Sequence, residues 1–272
     1  MNVVLPFRGE LGMKLWWHAP AVFALAGPKV VYIEEGEEAL YPGAEKWIAV
    51  ERNHDDRRRN HYGRDVEFVT PLEMVARARF GASARYLKPD QKWPRKRFTP
   101  LPHVPTEVDC DVVVCPRKRN YGAGKNWDEW SALTARLTAE GLRVFAGGAA
   151  DSSYDVPCEK AWDHERNLDA TIAAMHSARV VVATDAGLAH LAVLCGRPLL
   201  MVTYGAGLVA PGSVDDENGR PMEPCYWPVK MERYREANHL GSPITLVHHG
   251  WEDPERVLRE TQELIAARAG EP

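Results

Sequence analysis

The feature that most limits the possible folds is a regular alternation of short apolar runs with segments of helical periodicity in the second half of the chain. The predicted strands and helices lie, in chain order, at 111–115, 127–140, 142–146, 168–178, 180–183, 188–195 and 198–203. Strands that are apolar on both faces are typical of a parallel sheet covered by helices on both sides. The pattern therefore predicts an α/β fold with a doubly wound, Rossmann-like sheet.

The first half of the chain shows a weaker version of the same alternation. We predict strands at 2–5, 29–33, 47–50 and 66–69 and helices at 12–25 and 71–80. The stretch YLKPDQKWPRKRFTPLPHVP is basic and rich in proline, without apolar periodicity, and is typical of a linker. We therefore predict an N-terminal lobe over 1–104 that includes a linker at 85–104, a C-terminal lobe over 105–252, and a final helix within 253–272.

Composition and charge indicate the class of protein. With 45% hydrophobic and 26% charged residues and a net charge of -4, the chain resembles a soluble globular protein without a global nucleic-acid footprint. The five cysteines are scattered and form no C-x-x-C pair, which favours a reducing compartment over a zinc site. The start MNVVLPF predicts a strand and not a signal peptide, and no apolar run is long enough to span a bilayer. We expect a cytoplasmic protein.

One strand-to-helix junction, VVVATDAGLAHLAVLC at 180–195, carries polar residues where a ligand would bind. Parallel sheets bind ligands at the carboxyl ends of their strands, where helix N-termini present free N–H groups. Gly187 allows close backbone approach, and His190 follows in the first helical turn. The junction suits an anion such as a phosphate. The alternative is that Asp185 caps the helix and His190 is a structural, partly buried histidine.

Two further turns follow predicted strands. PRKRNYGAGKNW, after the strand at 111–115, gathers Arg117, Lys118, Arg119 and Lys125 without an acidic residue, and it lacks the spacing of an ATP-binding P-loop. By itself it is equally well explained as a solvated basic loop. Glu10 lies in a glycine-flanked turn after the first strand, where a carboxylate at a helix N-terminus is the simpler explanation.

Three blocks carry a family resemblance: RGELGMKLWWHAPAVFAL, VVVCPRKRNYGAGKNWDEWSALTARLTAEGLRVFAGG and NLDATIAAMHSARVVVATDAGLAHLAVLCGRPLLMV. They resemble glycosyltransferase family 9, the heptosyltransferase-like enzymes of the GT-B fold, in which two Rossmann-like lobes face each other across a nucleotide-sugar cleft. The resemblance covers the second lobe almost throughout and the first two dozen residues of the first lobe.

The resemblance implies an inverting glycosyltransferase that uses a nucleotide-diphosphate sugar and needs neither a metal ion nor another cofactor. Glu10 then matches the general base that takes the proton of the acceptor hydroxyl. Arg8, Trp17 and His18 are expected on the acceptor side. The residues expected to bind the donor diphosphate are Arg117, Arg119, Lys125, Asp185, Ala186, Gly187, Leu188, Ala189 and His190.

The sequence also departs from the family pattern. Ala186 stands where the family usually has a hydroxyl, and Glu10 stands where aspartate is usual. The D-x-D motif that holds a metal ion in other sugar transferases occurs only as Asp109-Cys110-Asp111, which leads into a predicted strand and is interpreted as strand-edge sequence. We expect base and ribose contacts from the loops after Ala146 and around 162–167.

The acceptor stays open at the level of sequence. A saccharide or a lipid-linked glycan fits the family, whereas basic residues interleaved with aromatic ones at 57–64 and 92–98 would suit a hydroxymethylated base in DNA, as in some phage enzymes. Two other functions fit the same fold: a sugar-nucleotide epimerase and a nucleotide-binding protein without catalytic activity.

Overall fold

The computed structural model describes residues 1–7, 11–51, 66–88, 98, 100–104, 108–118, 126–184, 186–202, 244–247 and 253–268. The chain forms two compact units, Met1–Pro102 and His103–Pro272. In its described residues, each unit contains one parallel sheet with helices in the connections between strands. Among the described helices, none has both the length and the apolar character needed to cross a bilayer.

The first unit is built on a four-stranded parallel sheet in the order β3-β2-β1-β4. Its strands are β1 (Asn2–Val4), β2 (Lys29–Glu34), β3 (Lys46–Val50) and β4 (Arg85–Leu87). Its core gathers buried apolar residues of the sheet and of the helix before β4, among them Val3, Leu5, Tyr32 and Ala76.

A continuous helical segment follows β1, and its middle turn is unusual. It consists of α1 (Leu11–Met13), a π-helical turn (Lys14–His18) and α2 (Ala19–Phe23). Pro20 occupies the first turn of α2 and cannot donate a backbone hydrogen bond to the preceding turn. A wider turn immediately before a proline relieves the clash that a regular α-helix would suffer at this point.

Two sequence predictions for the first unit are wrong. Residues 66–69 do not form a strand but begin α3 (Val66–Phe80), so that Pro71 lies inside a helix that we expected it to start. Residues Arg85–Leu87, assigned to the linker, form β4 and pair in parallel with β1, Asn2 opposite Arg85. A strand of three residues is too short to show an alternating pattern.

The second unit has a six-stranded parallel sheet in the order β10-β9-β8-β5-β6-β7. The strands are β5 (Val112–Cys115), β6 (Val144–Ala146), β7 (Glu159–Lys160), β8 (Val180–Thr184), β9 (Leu199–Val202) and β10 (Ile244–Val247). The helices are α4 (Trp130–Ala139), α5 (Asn167–Ser177), α6 (Gly187–Leu194) and α7 (Pro254–Arg268).

The strand order of the second unit is that of a dinucleotide-binding sheet. Numbered within this unit, the order reads 6-5-4-1-2-3, which is the doubly wound Rossmann arrangement. The strands β5 and β8 at its centre are wholly buried, and α7 packs on α4, β8 and β9. The predicted doubly wound parallel sheet is confirmed, with two strands, β7 and β10, that the sequence did not predict.

Candidate functional site

The strand order of the second unit defines one point where a ligand crevice is expected. β5 and β8 are neighbours in the sheet, but the chain leaves β5 toward β6 on one side and leaves β8 toward β9 on the other. Connections that diverge in this way open a crevice at the carboxyl ends of the two strands. The described segments that border the crevice are residues 116–118, directly after Cys115, the end of β8 at Thr184 and the start of α6.

The N-terminus of α6 lies at this crevice, with Ala186 at its N-cap position. Ala186 has an extended backbone (φ -150°, ψ 175°), and α6 begins at the next residue. The Ala189 N–H donates to the Ala186 carbonyl at 3.0 Å, and Ala186 itself offers no side-chain cap, because alanine has no oxygen to accept a hydrogen bond. The first N–H groups, at Gly187 and Leu188, therefore point outward with the positive end of the helix dipole. This arrangement suits an external anion.

The loop after β6 contacts the first turn of α6. Gly148 has φ +138°, and a Cβ atom at this position would lie 2.6 Å from Ser153 Oγ, 3.6 Å from Leu188 Cδ1 and 3.7 Å from Trp162 Cζ3. The backbone at Gly148 therefore approaches Ser153 more closely than a residue with a Cβ atom would allow, whereas Leu188 and Trp162 lie at ordinary van der Waals distance from that Cβ position. These contacts gather the loop after β6, the turn at Trp162 and the start of α6 into one wall of the crevice.

The start of the basic loop is held by backbone hydrogen bonds. Arg117 forms an isolated antiparallel bridge with Ser153, and the Lys118 N–H donates to the Ser152 carbonyl at 2.9 Å. The Tyr154 N–H donates to the Pro116 carbonyl at 2.7 Å, and Lys118 Nζ lies 5.5 Å from the centre of the Tyr154 ring. The first two cations of the loop are thus placed at the carboxyl end of β5.

The structure places some of the predicted site residues and leaves others outside the part of the chain that it describes. Ala186, Gly187, Leu188, Ala189 and His190 form the start of α6, where His190 is buried, at 6% exposure. Trp17 and His18 belong to the π-helical turn. The predicted residues outside the described ranges are Arg8, Glu10, Arg119, Lys125 and Asp185.

In the first unit the structure shows a buried polar cluster that sequence reasoning missed. The Lys14 ammonium, with a residue exposure of 1%, lies 3.3 Å from Glu34 Oε2 and also forms an ion pair with Glu37. His18 Nδ1 lies 2.7 Å from the Tyr41 hydroxyl oxygen. The only signal in the sequence was the acidic run EEGEE directly after β2.

Burial controls the ionisation of this cluster. Desolvation, assisted by the nearby Lys14 charge, lowers the pKa of His18 to about 3, so the imidazole is neutral at physiological pH. Desolvation, followed by the Glu37 and Glu34 carboxylates, raises the pKa of Tyr41 well above its usual value. His18 and Tyr41 therefore meet as two neutral groups that share one hydrogen bond.

The D-x-D motif has a structural role at the opposite edge of the second sheet. Asp109 and Asp111 precede β5, so they lie at the amino ends of the strands, away from the crevice. Both carboxylates pair with Arg143, whose backbone N–H also donates to Asp111 Oδ2 at 2.9 Å. This agrees with the interpretation of the motif as strand-edge sequence. Within the described residues, no group of three or more His, Cys, Asp or Glu residues is arranged to hold a metal ion.

By sequence, no protein-family model and no curated protein matches the chain. By structure, the fold is of the GT-B class that glycosyltransferases share. One similar structure is the ADP-heptose lipopolysaccharide heptosyltransferase II of E. coli, at a TM-score of 0.56 and 15% identity over 99% of this chain and 100% of that one. Another is a glycosyl transferase of family 9 from Veillonella parvula, at a TM-score of 0.57 and 10% identity over 98% and 97% of the two chains.

These similarities establish the fold. They confirm the predicted GT-B-type α/β class and the predicted likeness to glycosyltransferase family 9, because both alignments run through nearly the whole of this chain. Two proteins that share a fold at such identities can differ in substrate and in chemistry.

Proposed function

We propose that this protein is a glycosyltransferase that moves a sugar from a nucleotide-diphosphate donor to an acceptor hydroxyl, with inversion at the anomeric carbon. The observation that carries the proposal is the N-terminus of α6, with alanine at its N-cap, at the β5/β8 crevice in a fold shared with glycosyltransferases. A helix N-terminus at such a crevice is a site for a phosphate group.

The donor diphosphate accepts hydrogen bonds from the backbone N–H groups at the start of α6. Arg117, together with Arg119 and Lys125 of the same basic loop, supplies positive charge. The nucleoside binds along the wall formed by Gly148 and Trp162. Because one similar structure is named as an ADP-heptose enzyme, ADP-sugars are the first donors to test.

The reaction follows from where charge develops. The acceptor hydroxyl gives its proton to the Glu10 carboxylate as its oxygen bonds to the anomeric carbon. The bond from that carbon to the diphosphate oxygen breaks on the opposite face, which inverts the configuration. Negative charge grows on the leaving diphosphate, and fixed dipoles and cations that already point there stabilise the transition state most.

The same reasoning makes a metal ion unnecessary in the proposed reaction. Three basic side chains and a helix dipole supply the charge that a cation would otherwise provide at the diphosphate. The D-x-D carboxylates are engaged with Arg143 at the other edge of the sheet. We therefore propose metal-independent transfer, with a saccharide or a lipid-linked glycan as the acceptor.

The first experiment measures donor binding and turnover. Nucleoside diphosphates and nucleotide sugars are screened by thermal shift, and release of the diphosphate is followed with and without glycan acceptors. Glu10→Gln is expected to abolish transfer while donor binding persists. Glu35→Gln is the control, since Glu35 is an exposed carboxylate of the same unit. Lys125→Ala should weaken diphosphate binding by about 1.5–3 kcal/mol, because it removes a charge-assisted contact.

Each alternative has its own outcome. Normal transfer by Glu10→Gln would show that another group is the base, and a protein that binds no nucleotide would contradict the proposal as a whole. Conversion of the donor to its epimer without an acceptor would identify an epimerase. Transfer to DNA whose affinity falls steeply with salt would identify a nucleic-acid acceptor.

A further inference from the structure

The buried cluster of the first unit lies at the functional edge of its sheet. We define the Lys14 cluster as Lys14, His18, Glu34, Glu37 and Tyr41. Glu34 is the last residue of β2, and Glu37 and Tyr41 flank the short helical turn that follows, so all three partners of Lys14 and His18 lie at the carboxyl end of that strand. This is the edge of a parallel sheet at which ligands bind.

The cluster fixes the chain on both sides of residues 8–10. Before this segment, the Phe7 ring packs against the His18 ring with centroids 5.4 Å apart, and the Leu5 N–H donates to the Leu87 carbonyl at 2.8 Å. After it, Lys14 and His18 are tied to the loop behind β2 through the Glu34 ion pair and the Tyr41 hydrogen bond. The cluster therefore holds the described residues on either side of this segment, Phe7 before it and Lys14 and His18 after it.

Core packing does not account for this cluster. Taking an ammonium and its carboxylate partners out of water costs several kcal/mol per ion, and apolar residues of the same volume would usually be as stable. The geometry of the backbone is also specialised, because Lys14 and His18 are the first and last residues of the π-helical turn. Such turns are frequent at functional sites.

We infer that the Lys14 cluster is a positioning network, which holds the segment around residues 8–10 so that the Glu10 carboxylate meets the acceptor hydroxyl. In this inference His18, which was expected on the acceptor side, acts through that segment and not by contact with the acceptor, because its side chain is buried at 2% exposure. This inference rests on the proposed function, in which Glu10 is the base. A carboxylate displaced by about 1 Å from its working position can lose a large part of its rate enhancement, of the order of 100-fold.

Tyr41→Phe is the informative variant, because it removes the hydroxyl that bonds to His18 and keeps the ring. Tyr86→Phe is the matched control: it deletes a hydroxyl of the same unit that donates to the Gly81 carbonyl at 2.7 Å, outside the cluster. Both variants remove one phenolic hydroxyl, which in Tyr86 also lies 3.3 Å from the Ala76 carbonyl oxygen, and both should unfold at a somewhat lower urea concentration than the wild type. Glu37→Gln is a second variant within the cluster. Lys14→Met would leave two carboxylates close together without their cation, and it is expected to impair folding.

The measurements are kcat and donor KM for diphosphate release from a nucleotide sugar, together with amide exchange at residues 11–18. We expect Tyr41→Phe to lower kcat about 10-fold with unchanged donor KM and to speed exchange in the π-helical turn. Tyr86→Phe should change neither. Equal kcat and equal exchange in the two variants would overturn the inference and leave the cluster a structural feature.

The failure of the proposed function would look different. If the wild-type protein binds nucleotides but turns over no donor, the transferase proposal is wrong. Faster amide exchange at residues 11–18 in Tyr41→Phe, but not in Tyr86→Phe, would then still show that the cluster holds the helical segment. Unchanged exchange in Tyr41→Phe would show that the cluster does not hold it.

Discussion

Gly148 shows how one residue shapes the candidate site. Gly148→Ala places a methyl group 2.6 Å from Ser153 Oγ. It also requires a backbone conformation, φ +138°, that residues with a Cβ atom rarely adopt. We expect a loss of about 1–3 kcal/mol in the free energy of unfolding, because both effects act on the folded state. Urea denaturation measures the loss, and ADP affinity should fall with it, since the same backbone borders Leu188 and Trp162.

A second glycine, Gly141, separates the cost of crowding from the cost of the backbone conformation. Gly141 also has positive φ, +80°, but no atom lies within 4 Å of the position that an added Cβ would take, so Gly141→Ala should show only the backbone cost of about 1–2 kcal/mol. Adding Ser153→Ala to Gly148→Ala should restore the part due to crowding. If Gly148→Ala costs no more than Gly141→Ala, and Ser153→Ala restores nothing, crowding at the site is not the cause.

At the scale of elements, the helical segment after β1 shows what the sequence could and could not predict. The helix was predicted at 12–25 and lies at 11–23. The agreement is close because apolar periodicity is a local property of the sequence. The burial of Lys14 and His18 was not predictable from that periodicity. Their partners Glu34 and Tyr41 are 20 and 23 residues further along the chain, and polar side chains normally indicate the solvent face.

The buried imidazole in this segment makes stability depend on pH. The pKa of His18 is about 3 in the folded protein against 6.5 for an ordinary histidine, so between these values the unfolded chain binds the extra proton. The free energy of unfolding therefore rises with pH through this window, by up to about 1.4 kcal/mol per pH unit. The contribution of the neutral His18 is lost as the pH falls from 6.5 toward 3.

The check is urea denaturation of the wild type and two variants between pH 4.5 and 7. His18→Asn should be less stable at pH 7 but should show a flatter slope. His103→Gln removes an exposed histidine and should keep the wild-type slope. Equal slopes in the wild type and His18→Asn would show that another group causes the acid sensitivity.

At the scale of the whole molecule, the two units differ in how much the sequence reveals. The central strands of the second unit are almost wholly apolar, and this alone predicted a parallel sheet with helices on both faces. The sequence did not predict the order of its strands, because pairing joins residues far apart in the chain, such as Val112 with Val180. In the first unit, the edge strand β4 has only three residues and was therefore assigned to a linker.

The start of α6 at the carboxyl end of β8 could be predicted from the junction at 180–195, since the strand, the turn and the helix are consecutive. That this terminus binds an anion stays a prediction. The contact of Gly148 with Leu188 could not be predicted, because it joins loops after different strands. The strand order explains why these loops are neighbours, since it places β5 between β6 and β8 and brings the segments after these strands to the same edge of the sheet.

The two-unit organisation predicts where a nucleotide acts. ADP at 100 times its Kd should stabilise the unit it binds by about 2.7 kcal/mol. If the crevice of the second unit is the donor site, amide exchange should slow at Gly187 and Leu188 and in the loop from Gly148 to Trp162. The sheet of the first unit should exchange as before. Hydrogen exchange with mass-spectrometric detection on the full chain measures both units in one experiment.

Adenosine is the matched ligand control for this experiment, because it keeps the nucleoside and lacks the diphosphate. It should slow exchange near Trp162 and leave the Gly187 and Leu188 amides unchanged, since those two N–H groups are proposed to bind phosphate oxygens. Equal protection of the α6 terminus by adenosine and ADP would mean that the helix responds to occupancy of the nucleoside wall. Protection by ADP confined to the first unit would place the nucleotide site there, contrary to the expectation from the β5/β8 crevice.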